Sequence, residues 1–299
     1  MDAIIILLVS AMSLAALYFL LASGLGLIFG LMNILSFAHG AFLAVGAYAA
    51  YQVMANSGIL YSSTPLSWLG GVALAMAIGG ILAWVTEIFL IRPLYDRSHM
   101  DQLLVTMGLG FIIIALIQGI WGPDSLSTPL PPWFTETTPF LGAEIPNDRF
   151  VIIITAILLY IGIEVFLKYT RHGLIVRAGV ENREMVRALG IDVRQSFNLV
   201  FVIAGVTAGL GGALAATYHK AVFPLVGDSL LLFSFIVLIV GGLGSMKGAL
   251  VASFIVGVLQ VFANFYIGNG VGEILVIVLL AAMLLFRPQG IFGRKGRLV

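Results

Sequence analysis

Asn33, Ser36 and His39 fall within seven residues of one another in a stretch that is otherwise apolar, Asn33-Ile34-Leu35-Ser36-Phe37-Ala38-His39-Gly40. An amide, a hydroxyl and an imidazole so spaced can hydrogen-bond a small polar solute in passing. Gly24, Gly26, Gly30 and Gly40 around them permit close helix contact or an unwound turn. Two readings of Asn33, Ser36, Phe37, His39 and Gly40 stand side by side. They line or gate a translocation path, or they form a helix-packing motif whose polar atoms bond to neighbouring backbone. A faint echo follows later, where Lys247-Gly248-Ala249-Leu250-Val251-Ala252 matches His39-Gly40-Ala41-Phe42-Leu43-Ala44 in character. Lys247 is grouped with the path residues, although convergence on Gly/Ala packing is the better explanation of so short a match.

A second chemically pointed stretch is Arg171–Arg194. The pattern predicts a short helix over Val180–Leu189, with Glu181 and Glu184 in its first turns, Arg187 near its end and Gly190 where a left-handed cap belongs. Met185 and Leu189 lie one turn apart, Asn182 and Ala178 extend that face, and Arg183 with Arg187 forms an adjoining stripe. Such a helix suits a groove on another protein. An ordinary basic loop between two helices accounts for the same arginines.

Other chemistries are excluded by what is missing. The chain has no cysteine, and its four histidines are scattered without ligand-spaced partners. Gly241-Gly242-Leu243-Gly244-Ser245-Met246-Lys247-Gly248 has the wrong spacing for a phosphate cradle. No catalytic constellation, metal site or cofactor site is expected, which argues against an enzyme, and a net charge of +1 gives no reason to expect nucleic acid. Glu87 and Glu164, near the ends of apolar runs and just before Arg92 and Lys168, read as interfacial anchors rather than proton carriers.

These residues must be held by a membrane scaffold. Of 299 residues 61% are apolar and 10% charged, and no Asp, Glu, Lys or Arg occurs from Ala3 to Thr86. A bilayer accepts such a stretch where a soluble core cannot cover it. The fold is read as all-α and polytopic, with about nine crossings of roughly 20 residues (eight to ten allowed). They are Ala3–Leu21, Ser36–Met54, Leu66–Ile91, Gln102–Trp121, Phe150–Lys168, Phe197–Thr217, Leu230–Val240, Ala249–Ile267 and Glu273–Phe286. Ser23–Leu35 reads as a glycine-broken piece too short to cross. Met1-Asp2 lacks the basic start of a cleavable signal, so the first run is kept as mature structure. Putting thirteen of the fifteen basic residues inside leaves only Arg149 and Lys220 outside. That places the N-terminus outside and the C-terminus in the cytoplasm. Residues 1–299 form one domain, with a cytoplasmic loop at 169–196 and an extracytoplasmic loop at 122–149 that holds six prolines.

With these residues in view, the chain resembles the LivH-type permeases of branched-chain amino acid ABC importers. The resemblance is carried by Gly24-Leu25-Gly26-Leu27-Ile28-Phe29-Gly30, Asn33 with Ser36-Phe37-Ala38-His39-Gly40, Arg171-His172-Gly173, Glu181-Asn182-Arg183-Glu184-Met185 and Ala188-Leu189-Gly190-Ile191. It continues through Gly241-Gly242-Leu243-Gly244-Ser245 and closes at Phe286-Arg287-Pro288-Gln289-Gly290-Ile291-Phe292-Gly293. It implies a permease subunit in a bacterial inner membrane. Its implied partners are a second similar permease, two cytoplasmic ATPases, and a periplasmic binding protein that delivers branched-chain or other neutral amino acids. Glu181, Asn182, Arg183, Glu184, Met185, Arg187, Leu189 and Gly190 then form the coupling helix seated in an ATPase groove. Many relatives carry an acidic residue after the His-Gly pair where this chain has Ala41, so no role for that carboxylate transfers. Relatives that move urea, short amides or other small polar solutes share the pattern, and a self-sufficient carrier or channel is the remaining alternative.

Overall fold

The computed structural model describes residues 2–32, 34, 36–56, 64–95, 97–181, 185–186 and 193–293. Its helices are α1 (Asp2–Met32), α2 (Ala38–Ala55), α3 (Pro65–Thr86), α4 (His99–Trp121), α5 (Pro132–Thr135), α6 (Asn147–Tyr169), α7 (Arg171–Glu181), α8 (Val193–His219), α9 (Val226–Gly241), α10 (Met246–Tyr266) and α11 (Val271–Phe286). Strands β1 (Leu126–Ser127), β2 (Thr137–Phe140), β3 (Ala143–Pro146) and β4 (Ala221–Val222) give two small antiparallel pairs. Hairpin β2–β3 and the β1–β4 pair structure the Pro-rich loop and tie it to the chain leaving α8.

Local chemistry sets the helix ends. At α3, Thr64 accepts from the Ser67 N–H while Ser67 accepts from the Thr64 N–H, and Pro65 opens the first turn. Ser98 caps α4 through the Asp101 N–H, and Gly122, at φ +87°, ends it. Ser245 caps α10 through the Gly248 N–H at 3.0 Å.

Among the described residues six helices are long and apolar enough to cross a membrane: α1, α3 with its extension to Leu94, α4, α6, α8 and α10. The other three expected crossings are helical too, as α2, α9 and α11, but shorter or less apolar. Phe111, Ile112 and Leu116 of α4, Ile154, Ile157 and Leu158 of α6, and Ile274, Ile277 and Val278 of α11 are exposed. Apolar belts of this extent mark a multi-pass membrane protein. The most enclosed helices are α2 and α8.

Small residues let these inner helices approach. Gly71, Ala75, Gly79 and Ala83 recur along α3 at four-residue spacing; Gly71 meets Ala50 of α2, and Ala75, Gly79 and Ala83 lie against Gly205 and Gly209 of α8. Added Cβ atoms there would strike the facing backbone. On its other side Gly209 meets Gly46 of α2, whose own added Cβ would lie 2.6 Å from the Gly209 Cα. This is the small-xxx-small packing of membrane helices. The faint sequence echo has a structural counterpart: Gly40 opens α2 against Gly227, and Gly248 opens α10 against Gly241, so α9 is gripped near both ends.

Two expectations are corrected. Ser23–Leu35 is not a separate glycine-broken piece, because α1 runs unbroken through Gly24, Gly26 and Gly30. Its backbone hydrogen bonds need no side chains, and Gly24 and Gly26 serve as contact points for other helices. The break falls later, between Met32 and Ala38. Second, Glu87 is not an interfacial anchor. It is fully buried at the foot of α3. Glu164, in contrast, makes the expected i,i+4 pair with Lys168 at 2.9 Å.

Candidate functional site

The break between α1 and α2 positions the first group of sequence-selected residues. The Phe37 N–H donates to Thr106 Oγ1 of α4 at 3.3 Å, and His39 lies beside Thr207 of α8 and Gly24 of α1. Thr106 and Thr207 are partway along their helices, so α2 starts inside the bundle rather than at its surface. Irregular backbone at such depth is tolerated when protein surrounds it, and Ile34, Ser36 and Ala38 are indeed buried. A Cβ on Gly24 would come within 2.9 Å of His39 Nε2, so this glycine makes room for the imidazole.

His39 and Ser36 are fully buried, and among the described residues no partner completes a hydrogen bond of ordinary geometry to Ser36 Oγ or to either ring nitrogen, although the Leu21 backbone approaches the imidazole. Unsatisfied buried polar atoms are rare in native proteins and call for an explanation. Gly40 is buried against Gly227 and Leu231, Phe37 is half-buried on Phe235, and Lys247 is exposed at the start of α10, away from this group. Asn33 lies outside the described residues.

At the end of the bundle that carries α7, a polar knot surrounds Glu87. Its Oε2 accepts from Arg92 Nη2 at 2.7 Å and Asn198 Nδ2 at 2.7 Å, and its Oε1 accepts from Arg92 Nε at 3.2 Å and from the Tyr95 hydroxyl. A π turn over Glu87–Ile91 widens the repeat to five residues and brings Arg92 back over Glu87. Asn198, near the start of α8, links this knot to the loop that enters that helix. In that loop Glu181 closes α7 and Met185 is 61% exposed. Asn182, Arg183, Glu184, Arg187, Leu189 and Gly190 lie outside the described residues.

The opposite end opens into a cleft of about 710 Å³ that sequence reading missed. It lies between α1, the end of α8, and the facing parts of α9, α10 and α11. Tyr18 donates to Gln260 Oε1 at 2.6 Å, Gln260 Nε2 donates to Glu273 Oε1 at 2.9 Å, and Asn264 Nδ2 donates to the same oxygen at 3.2 Å. The Gly272 N–H donates to Asn264 Oδ1 at 2.8 Å, fixing that amide's orientation. Leu14, Leu230 and Phe233 give the cleft its apolar wall. No local motif marks the site, because Tyr18 and Gln260 are 242 positions apart. The one available signal was Glu273, a carboxylate opening an apolar helix.

Among the described residues no group of three or more His, Cys, Asp or Glu could hold a metal ion.

A family model described as "Branched-chain amino acid transport system / permease component" matches residues 7–287. The high-affinity branched-chain amino acid transport system permease protein LivH of Salmonella typhimurium is 25% identical over 291 residues, covering 95% of this chain and 94% of that protein. BraD of Pseudomonas aeruginosa, a permease protein of the same description, is 26% identical over 293 residues, covering 96% and 95%. The probable branched-chain amino acid transport permease protein LivH of Methanocaldococcus jannaschii is 28% identical over 288 residues, covering 92% and 88%.

Proposed function

Since the chain belongs to the branched-chain amino acid transport system permease family, we propose that it is the membrane-spanning subunit of an ATP-driven importer for branched-chain or other neutral amino acids. The observation that carries this reading is the family match across residues 7–287, nearly the whole bundle. In it the chain pairs with a second similar permease. Two cytoplasmic ATPases drive the pair, and a binding protein on the outer face supplies the solute. The end bearing hairpin β2–β3 faces outward, where the binding protein docks.

Residues 181–190 act as the coupling peg. Exposed Met185 supports that role, as does the Glu87 knot, which ties the foot of α8 to α3 so that a push on the loop reaches the inner helices. Alternating access then carries solute past His39 and Ser36, whose unsatisfied polar atoms find partners in another state of the cycle.

Reconstitution with and without the ATPases tests this reading. ATP-dependent leucine uptake by the assembled complex is expected, with none by the chain alone. Glu181→Ala or Gly190→Pro should abolish stimulated ATPase activity and uptake while membrane insertion stays normal. Solute flux through the isolated chain without ATP would favour a self-sufficient carrier instead.

A further inference from the structure

Hairpin β2–β3 breaks a local rule at its turn. Phe140 pairs with Ala143, so Leu141 and Gly142 are the central residues, and both have positive φ, +53° and +89°. Turns of that kind favour Asn, Asp or Gly at the first position. Here a leucine takes the left-handed conformation, in which its Cβ crowds the following carbonyl. The fold does not bury it in return, since Leu141 is exposed, as is Phe140 beside it. A strained leucine that packing within the chain does not account for points to something outside the chain.

The place of the tip narrows what that is. Strand β3 leads directly into α6, so a free hairpin could stand beyond the end of that helix in water. Instead the Phe140 ring meets the Phe150 ring edge-on at 5.8 Å, one turn inside α6. The hairpin is folded down beside the helix. Phe150 heads a row with Ile154, Ile157 and Ile161, which recur at helical spacing and are exposed. That row is part of the lipid-facing belt, and Phe140 and Leu141 widen it at its upper end. The rest of the hairpin is two-faced: Ala143 and Ile145 are buried where β3 packs on α1, and Glu144 between them is exposed. No charged side chain occurs from Thr137 to Ala143, so removing the tip from water strands no charge.

We propose that the tip of hairpin β2–β3 is an interfacial anchor: the Phe140 and Leu141 side chains enter the boundary between headgroups and acyl chains of the adjoining phospholipid leaflet. The turn backbone stays in the hydrated headgroup layer, where water satisfies it. Burial of the two apolar side chains at that depth offsets the strained turn. A shorter side chain at position 141, such as cysteine, remains at headgroup level and within reach of aqueous reagents. The assignment holds whichever solute the chain carries.

The test uses the full-length chain in phosphatidylcholine nanodiscs, as the variants Leu141→Cys and Glu144→Cys, each labelled with bimane. A doxyl group high on the lipid acyl chain should quench the label at 141. Iodide in the buffer should quench the label at 144 several times more strongly than the one at 141. Amide hydrogen exchange over residues 137–146 gives a second measurement without a label. Leu141→Asn should raise that exchange severalfold, although asparagine suits the turn better, and Leu141→Met should leave it at the parent level. The proposal is overturned if iodide quenches both positions alike while the lipid quencher spares 141. It is equally overturned if Leu141→Asn slows exchange, the result for a strained tip standing free in water. Either result would leave the tip to a soluble partner.

Discussion

Two buried polar residues illustrate opposite solutions to the same cost. Glu87 is fully buried, yet Arg92, Tyr95 and Asn198 occupy both its oxygens. Removing one partner of a buried charge pair strands the other. Because Arg92 is 37% exposed and can turn toward water, Glu87→Ala should cost about 2–3 kcal/mol, below the usual range for a wholly buried pair. A lowered melting temperature of the detergent-purified protein checks this. His39 is the reverse case, buried with ring nitrogens to which no described residue makes a well-formed bond. His39→Leu should therefore stabilise the fold by about 1–3 kcal/mol, the usual cost of an unsatisfied buried group, while uptake falls. Uptake at the parent rate in that variant would reduce His39 to packing.

The inner helices depend on glycine at particular points. Gly205→Leu or Gly209→Leu should drive α8 away from α3 and abolish assembly, because the facing atoms are backbone and cannot swing aside. Gly108→Ala and Gly162→Ala are the controls: nothing lies within 4 Å of a Cβ at either position. Each should be neutral or add up to about 1 kcal/mol through helix propensity. Yields of folded protein by size-exclusion chromatography distinguish the two groups. Sequence did not separate these classes of glycine. Gly24, Gly26 and Gly30 read as helix breaks, yet a helix backbone closes its hydrogen bonds whether or not a Cβ is present. Whether a glycine ends a helix or docks one depends on the neighbour it meets, which spacing along one chain does not record. The π turn at Glu87–Ile91 escaped notice for a related reason, since its five-residue repeat has no compositional mark. The Thr64 and Ser98 caps, by contrast, follow local rules that sequence displays.

For the whole molecule, the apolar runs were legible because hydrocarbon thickness imposes a length on each one. The cleft was not, since it is assembled from Tyr18, Gln260, Asn264 and Glu273, which only the packing of α1, α10 and α11 brings together. The proposed orientation rests on charge asymmetry alone, and the absence of native cysteine makes it directly testable. Leu141 at the hairpin turn is 75% exposed and Tyr169 at the far end of α6 is 81% exposed. A membrane-impermeant maleimide should label Leu141→Cys in intact cells and Tyr169→Cys only after permeabilisation. The opposite pattern would invert the topology.

Helix α2 is sheathed almost entirely by other helices, and it carries His39 and Gln52 within 18 residues. A segment so enclosed is under little pressure to be uniformly oily, and polar side chains can sit in it where lipid does not meet them. The helix that completes its surroundings, α8, comes much later in the chain, so α2 reaches its final neighbours only after most of the protein has been made.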